Sequence, residues 1–263
     1  MKKLPFANKD LGQHFLRDQK VIKGITSDWQ DECDAIIEVG PGPAILTKSL
    51  SEIDKPYFVI EKDQRFKEHL LEFVKEDNII FTDALKFDWD KFLKDHNLRG
   101  KKLWLVSNLP YNVGTILFTQ FLRIPEIQYM SLMFQKEVGE KTYFRETKNQ
   151  MNGLLFLSNN YFEPKLLLKV APGSFTPPPK VDSVVVSYTR KNESDVSVSE
   201  FKPLNSFTRL LFSQKRKQIG SVLKSQIDKE ILETAFEKTN ISRQVRAETL
   251  TYDEVLKLFR ALI

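Results

Sequence analysis

The chain has 263 residues, 41% of them hydrophobic and 29% charged, with a formal net charge of +5. That length buries a substantial core, and that composition belongs to a soluble globular protein rather than a disordered or fibrous one. No run approaches the roughly 18 apolar residues of a membrane span, and the basic N-terminus leads into no apolar leader core.

The single cysteine, Cys33, allows no internal disulfide. Together these features predict a cytoplasmic protein without membrane attachment. Residues 201–263 hold 12 Lys+Arg against 7 Asp+Glu, which leaves 28 of each sign in the first 200. The positive excess lies wholly in the last quarter, the expected footprint of an acidic partner.

From Asp34 the sequence alternates short apolar runs with amphipathic stretches. AIIEV (35–39), YFVIE (57–61), NIIFT (78–82), KLWLV (102–106) and YMSLMF (129–134) read as buried strands. AILTKSLSEI (44–53), QRFKEHLLEFVKE (64–76) and TILFTQFLR (115–123) carry the i, i+3, i+4 spacing of helices. This order predicts an α/β fold with a parallel, doubly wound sheet. KLLLKV (165–170) and VDSVVVSYT (181–189) would extend the sheet at its edge, with an antiparallel member. The polar stretch 191–200 reads as a linker, and the periodicity beyond it as a small all-helical domain. The expected division is 1–192 and 193–263.

Four strand ends carry the groups that suggest chemistry. Gly40 and Gly42 follow the first strand, Glu61 closes the second, Asp83 follows the third and Asn108 the fourth. Glycines there let a ligand approach the backbone, and an acidic residue some twenty positions on accepts from ribose hydroxyls. Any one of these residues alone reads equally as a cap or turn. Four at successive strand ends point to a nucleoside-containing cofactor. Ile45 stands where a dinucleotide site places its third glycine, no phosphate-loop GK[ST] occurs, and the histidines have no metal-ligand spacing. S-adenosylmethionine, with a ribose and an adenine but no phosphate, is the cofactor left, and no metal is expected.

The run SNLPYNVG (107–114) reads as a Pro-containing turn in isolation and as a site after three nucleoside-binding strand ends. An exocyclic base amine is a weak nucleophile because its lone pair is delocalised. The Asn108 side-chain carbonyl and the Leu109 main-chain carbonyl can accept its two N–H groups and aim the lone pair at a methyl donor. Pro110 would hold the Leu109 carbonyl rigid, and Tyr111 offers a face for an extruded base. In GSFTPPPKVDSVVV (173–186) the three prolines either present Phe175 on a stiff segment or simply break an edge strand.

These motifs, with LGQHFL (11–16), VIEKD (59–63), QKEV (135–138), FTPPPKVDS (175–183), LLFSQKRKQI (210–219) and RAETL (246–250), span nearly the whole chain. Taken together, the sequence resembles the ribosomal RNA adenine N6,N6-dimethyltransferases, in particular the bacterial small-subunit (16S) enzymes. The resemblance implies a class I methyltransferase sheet with a C-terminal helical domain. It implies that His14 and Leu16 close over the cofactor with Gly40, that Glu61 binds the ribose, and that Asp83 binds the cofactor adenine. Asn108 would lie between cofactor and target base, with Tyr111 and Phe175 sandwiching the target adenine. The implied substrate is two adjacent adenosines in a hairpin loop near the 3′ end of 16S rRNA, within the small subunit or its precursor, and a monomer is expected.

Ala44, Thr82 and Val113-Gly114 depart from the usual Gly, Gly and Ile-Ser of that family, and 139–155 lacks its usual Tyr-Gly-Arg-Leu-Ser run. Arg209, the QKRKQ run (214–218), Lys224, Arg243 and Arg246 are the expected phosphate contacts. Three rival readings are weighed on the same residues. A large-subunit methylase of the erythromycin-resistance type shares the cofactor rim but fits NLPYN and RAETL less well. An assembly factor with a vestigial site conflicts with the intact rim, and an NAD oxidoreductase with Ile45.

Overall fold

A run of five residues that are all apolar, or polar only at one position, cannot face water on either side. Ala35–Val39 and Tyr57–Glu61 are such runs, and every residue in both is buried. In the computed structural model, which describes residues 14–144 and 149–262, they are adjacent parallel strands. Leu11–Gln13 of the LGQHFL motif and residues 145–148 of the 139–155 segment lie outside the described residues.

In chain order the elements are β1 (Phe15–Leu16), α1 (Gln19–Thr26), β2 (Ala35–Val39), α2 (Thr47–Leu50), β3 (Tyr57–Glu61), α3 (Lys67–Leu70), β4 (Ile79–Phe81), α4 (Trp89–Asp95), β5 (Leu103–Asn108) and α5 (Gly114–Phe121). There follow β6 (Ile127–Gln135), α6 (Lys136–Gly139), α7 (Gly153–Tyr161), β7 (Phe162–Val170), β8 (Phe175–Thr176), β9 (Ser183–Arg190), α8 (Phe201–Leu211), α9 (Ile219–Leu223), α10 (Lys229–Thr239) and α11 (Tyr252–Leu262).

The main sheet has seven strands in the order β4-β3-β2-β5-β6-β9-β7. Its first five are parallel, and β9 runs antiparallel to β6, as the edge runs predicted. Strand order reverses between β2 and β5, the place where a doubly wound sheet opens a crevice for ligands. Trp104, Val106, Ile36 and Val59 are fully buried in the core of this unit.

Two of the expected helices are shorter than their periodicity. AILTKSLSEI forms α2 over only four residues, and its start is delayed past Ala44, whose left-handed backbone (φ 64°) a helix cannot contain. In 64–76 a 3₁₀ turn leads into the short α3, and Leu71 and Phe73, which supply the apolar spacing, are each 37% exposed.

The division of the chain also differs from the expected one. One compact unit runs to Gly139 and resumes over Pro164–Arg190; the other takes Glu140–Glu163 and everything from Lys191. The expected domain 1–192 therefore contains a helical segment, including α7, that belongs with the C-terminal helices. Nor is 191–200 a loose linker. Val196 is fully buried, and the Asn160 side chain both donates to its carbonyl and accepts from its N–H, each at 2.9 Å. Ser197 and Glu200 form a capping box, so the stretch is a built entry into α8. Among the described residues no helix is long and apolar enough to cross a membrane.

Candidate active site

The site is assembled at the carboxyl ends of β2, β3, β4 and β5. After Val39 the chain leaves the sheet, and Gly40 (φ 70°), Gly42 (φ 56°) and Ala44 (φ 64°) all take left-handed backbone. A Cβ at Gly40 would meet nothing within 4 Å, so the space above it is open. Ala44 is buried and carries its Cβ in this conformation at a cost of about 1–2 kcal/mol. Small size alone therefore does not make it equivalent to glycine.

Glu61 anchors this loop. Its Oε2 accepts from the Gly42 N–H at 2.9 Å, and Oε1 accepts from the N–H groups of Lys62 (2.8 Å) and Asp63 (2.7 Å). It is 6% exposed, and burial raises its carboxyl pKa against the lowering effect of these three donors. Asp83 opens the next turn. Its Oδ1 accepts from the Leu85 N–H at 3.0 Å and its Oδ2 from the Lys62 ammonium at 2.9 Å, which holds the carboxyl below its usual range.

Asn108 ends β5 and donates its side-chain amide to the His14 main-chain carbonyl at 3.2 Å. The side-chain oxygen of this cavity-lining residue takes no part in that bond. Leu109 is buried and donates its N–H to the Met133 carbonyl at 3.2 Å. The Pro110 carbonyl accepts from Val113 (3.2 Å) and Gly114 (2.9 Å), closing the turn that starts α5. A Cβ at Gly114 would stand 3.3 Å from the Leu109 Cβ, so a larger residue there presses on the strand exit itself. This gives the Gly114 departure a physical role.

Tyr111 stacks on the His14 ring (centroids 5.4 Å apart, planes 30°), and its hydroxyl is 2.8 Å from Ser183 Oγ; burial raises its pKa. One cavity is lined by His14, Leu16, Gly40, Gly42, Glu61, Asp83 and Asn108 through Tyr111. All but one of the expected site residues thus meet.

The exception is Phe175. It lies on β8, which pairs antiparallel with β1, and it is 1% exposed among Leu16, Val170 and Val185 of the core. It is not among the residues that line the cavity, so the expected sandwich of Tyr111 and Phe175 is not formed here. In the ribbon Phe175 stands opposite Leu16, and both side chains belong to the same buried core cluster. The same pairing is reinforced by Arg17, whose guanidinium donates to the Gly173 carbonyl at 3.0 Å, and by His14 Nδ1, 2.9 Å from the Pro177 carbonyl.

Sequence reasoning gave no role to Glu38. It is 2% exposed at the cavity wall, and its Oε2 accepts from Thr47 Oγ1 at 2.8 Å and from the Tyr57 hydroxyl. Burial pushes its carboxyl pKa up to about 7. A charged residue inside an otherwise apolar strand was the available signal.

In the helical unit the QKRKQ run is an exposed turn, not a helix face. Gln218 bridges to Arg246, and the Ile219 and Gly220 N–H groups donate to the Val245 (2.9 Å) and Arg243 (3.0 Å) carbonyls. A Cβ at Gly220 would fall 2.9 Å from that of Arg243, so glycine permits the two basic loops to join. Arg243 is itself paired with Glu233.

A family model described as Ribosomal RNA adenine dimethylase matches residues 6–263. The protein is 37% identical over 257 residues to Ribosomal RNA small subunit methyltransferase A of Clostridium botulinum (strain ATCC 19397 / Type A), covering 95% of this chain and 92% of that one. It is 34% identical over 254 residues to the protein of that name from Malacoplasma penetrans (strain HF-2), covering 96% and 91%. In fold it matches a dimethyladenosine transferase from Plasmodium falciparum with a TM-score of 0.73, at 23% identity, over 93% of this chain and 96% of that one. The 23S rRNA methyltransferase ErmE matches at 0.67 and 22% identity, over 94% and 99%. The class I methyltransferase fold, the strand-end cavity and a family match over nearly the full length agree, and the chain belongs to the ribosomal RNA adenine dimethylase family.

Proposed function

We propose that the cavity binds S-adenosylmethionine and that the protein methylates, twice each, the N6 amines of two adjacent adenosines in the hairpin loop near the 3′ end of 16S rRNA. The observation that carries this reading is the convergence of Glu61, Asp83 and Asn108, from the ends of three parallel strands, on one cavity whose glycine loop has open space above it. The donor set fits this cofactor. A carboxylate offers about four lone-pair positions, and the backbone takes three of those of Glu61, which leaves one for a ribose hydroxyl. Asp83 supplies an acceptor for the adenine amine.

The cofactor brings an electrophilic methyl group on a sulfonium. The chain's own residues then activate the weak acceptor. Asn108 Oδ1 and the Leu109 carbonyl accept the two N–H groups of the target amine, which concentrates its lone pair toward the methyl. The hydrogen bond that the Asn108 amide donates to the His14 carbonyl fixes which end of the side chain is left for the base. Tyr111 stacks the extruded adenine, displacing its contact with the His14 ring. No strong base is required beforehand, because the nitrogen becomes acidic once methylated.

In the helical unit, Lys215, Arg216, Lys217 and Arg246 would contact phosphates, giving affinity with little sequence information. The protein is read as a cytoplasmic monomer acting on the small subunit or its precursor, with a part in its biogenesis. Incubation with labelled S-adenosylmethionine and small subunits from a strain lacking the modification tests the reading. Label on two adjacent adenosines of the 3′ hairpin is expected, and no incorporation into any RNA overturns it.

A further inference from the structure

Lys62 connects the two carboxylates of the cavity. Its main-chain N–H donates to Glu61 Oε1 at 2.8 Å, and its ammonium donates to Asp83 Oδ2 at 2.9 Å. The residue lines the cavity, with its side chain 59% exposed and that of Asp83 26% exposed. The other Asp83 oxygen already receives the Leu85 N–H. Each Asp83 oxygen keeps one further lone-pair position, so a ligand amine would share the carboxylate with an ammonium on a flexible four-carbon arm that draws on its charge and narrows the approach.

We propose that Lys62 is a specificity-determining residue for the purine end of the cofactor: its ammonium competes with the 6-amino group for Asp83. The inference rests on the proposed assignment of that end of the cavity to the cofactor adenine. The chemistry has two consequences. Against a 6-amino purine, Lys62 is a rival and lowers affinity. Toward a 6-oxo purine it is a partner, because an ammonium and a carboxylate side by side complement the O6 acceptor and the N1–H donor. Lysine at 62 thus narrows the preference for adenine that Asp83 alone would give.

The pair is half exposed, so the effect is modest. Double-mutant measurements on such pairs correspond to changes of about two- to fivefold in an equilibrium constant. Lys62→Met keeps an apolar arm of similar length and removes the donor.

Calorimetric titration with S-adenosylhomocysteine and with its 6-oxo analogue, S-inosylhomocysteine, tests this on wild type, Lys62→Met, Asp83→Ala and the double variant. Lys62→Met is expected to bind the 6-amino ligand about two- to fivefold tighter and to raise its ratio over the 6-oxo ligand. The gain should vanish in the Asp83→Ala background. Raising ionic strength should tighten the 6-amino ligand on wild type and not on Lys62→Met. Equal or weaker binding by Lys62→Met, with Asp83→Ala still damaging, overturns the inference and leaves the cavity assignment standing. Unchanged binding by both Asp83→Ala and Glu61→Ala overturns the cavity assignment itself.

Discussion

The Asn108 side chain and the His14 backbone, 94 positions apart, are joined by an amide-to-carbonyl hydrogen bond of 3.2 Å. The residue proposed to aim the target amine is therefore held by the segment that borders the cofactor cavity. Replacing Asn108 with Ala removes the acceptor and leaves the RNA-binding surface intact. Turnover should fall by about 10²–10³, the range for deleting one preorganised hydrogen-bonding group, while RNA affinity stays within a few-fold. Single-turnover methylation and filter binding on the same preparation separate the two quantities, and equal losses in both would contradict the assigned role.

Tyr111 has two separable parts. Its hydroxyl is tied to Ser183 at 2.8 Å, and its ring is the stacking platform. Tyr111→Phe keeps the platform and should change activity little. Tyr111→Ala should weaken productive engagement of the target base by about 10- to 100-fold, the range for one aromatic–base stack. Fluorescence of 2-aminopurine placed at the target position would follow the base directly.

Glu38 predicts a pH dependence of stability. Its carboxyl has a pKa of about 7 when folded against an ordinary 4.5, so the folded state binds the proton more tightly. Its stabilising contribution is complete below pH 4.5 and is lost as pH rises toward 7. The expected loss is on the order of 3 kcal/mol. Glu38→Gln, which cannot titrate, should therefore gain on wild type between pH 5 and pH 8 when both are unfolded with denaturant. A constant difference across that range would contradict the assignment.

The basic turn of the helical unit should act through phosphates alone. Neutralising Lys215, Arg216 and Lys217 to Gln should weaken RNA binding at every salt concentration. It should also reduce the slope of log K against log salt by about 0.7–0.9 per lost contact. Methyl transfer at saturating RNA should be unchanged. Arg243→Gln should alter the slope less, because that guanidinium is already paired with Glu233.

The strands and the rim were legible because they follow from local rules. β2 and β3 occur at the residues their apolar runs mark, and Gly40, Glu61, Asp83 and Asn108 stand together because consecutive parallel strands end on one edge. What the sequence did not reveal is set by partners distant in the chain. Phe175 is buried where it pairs with the distant Leu16, and no local pattern records that pairing. Ala44 takes its left-handed backbone in the loop where the Gly42 N–H donates to Glu61, a partner 19 positions on. In α1 Asp18 caps the helix and Val21, Ile22 and Ile25 mark one face, but its eight residues are too few for periodicity to stand out. Segment 140–163 joins the helical unit through contacts such as the Phe156–Tyr252 stack, which spans about a third of the chain.

The two-residue strands β1 and β8 bear on timing as well as geometry. Only two residue pairs form that ribbon, Phe15 with Thr176 and Leu16 with Phe175. His14 and Leu16 line the cavity from that ribbon, and His14 also holds the Asn108 amide. Under the proposed function, opening of the ribbon would uncover the spent cofactor and release the Asn108 amide in one motion. Under the proposed reading each target base needs two transfers with an exchange between them, and the lifetime of this ribbon then sets a lower bound on the dwell time at each base. Amide exchange at Arg17, whose N–H donates to the Ser174 carbonyl beside the ribbon, reports how readily the ribbon opens.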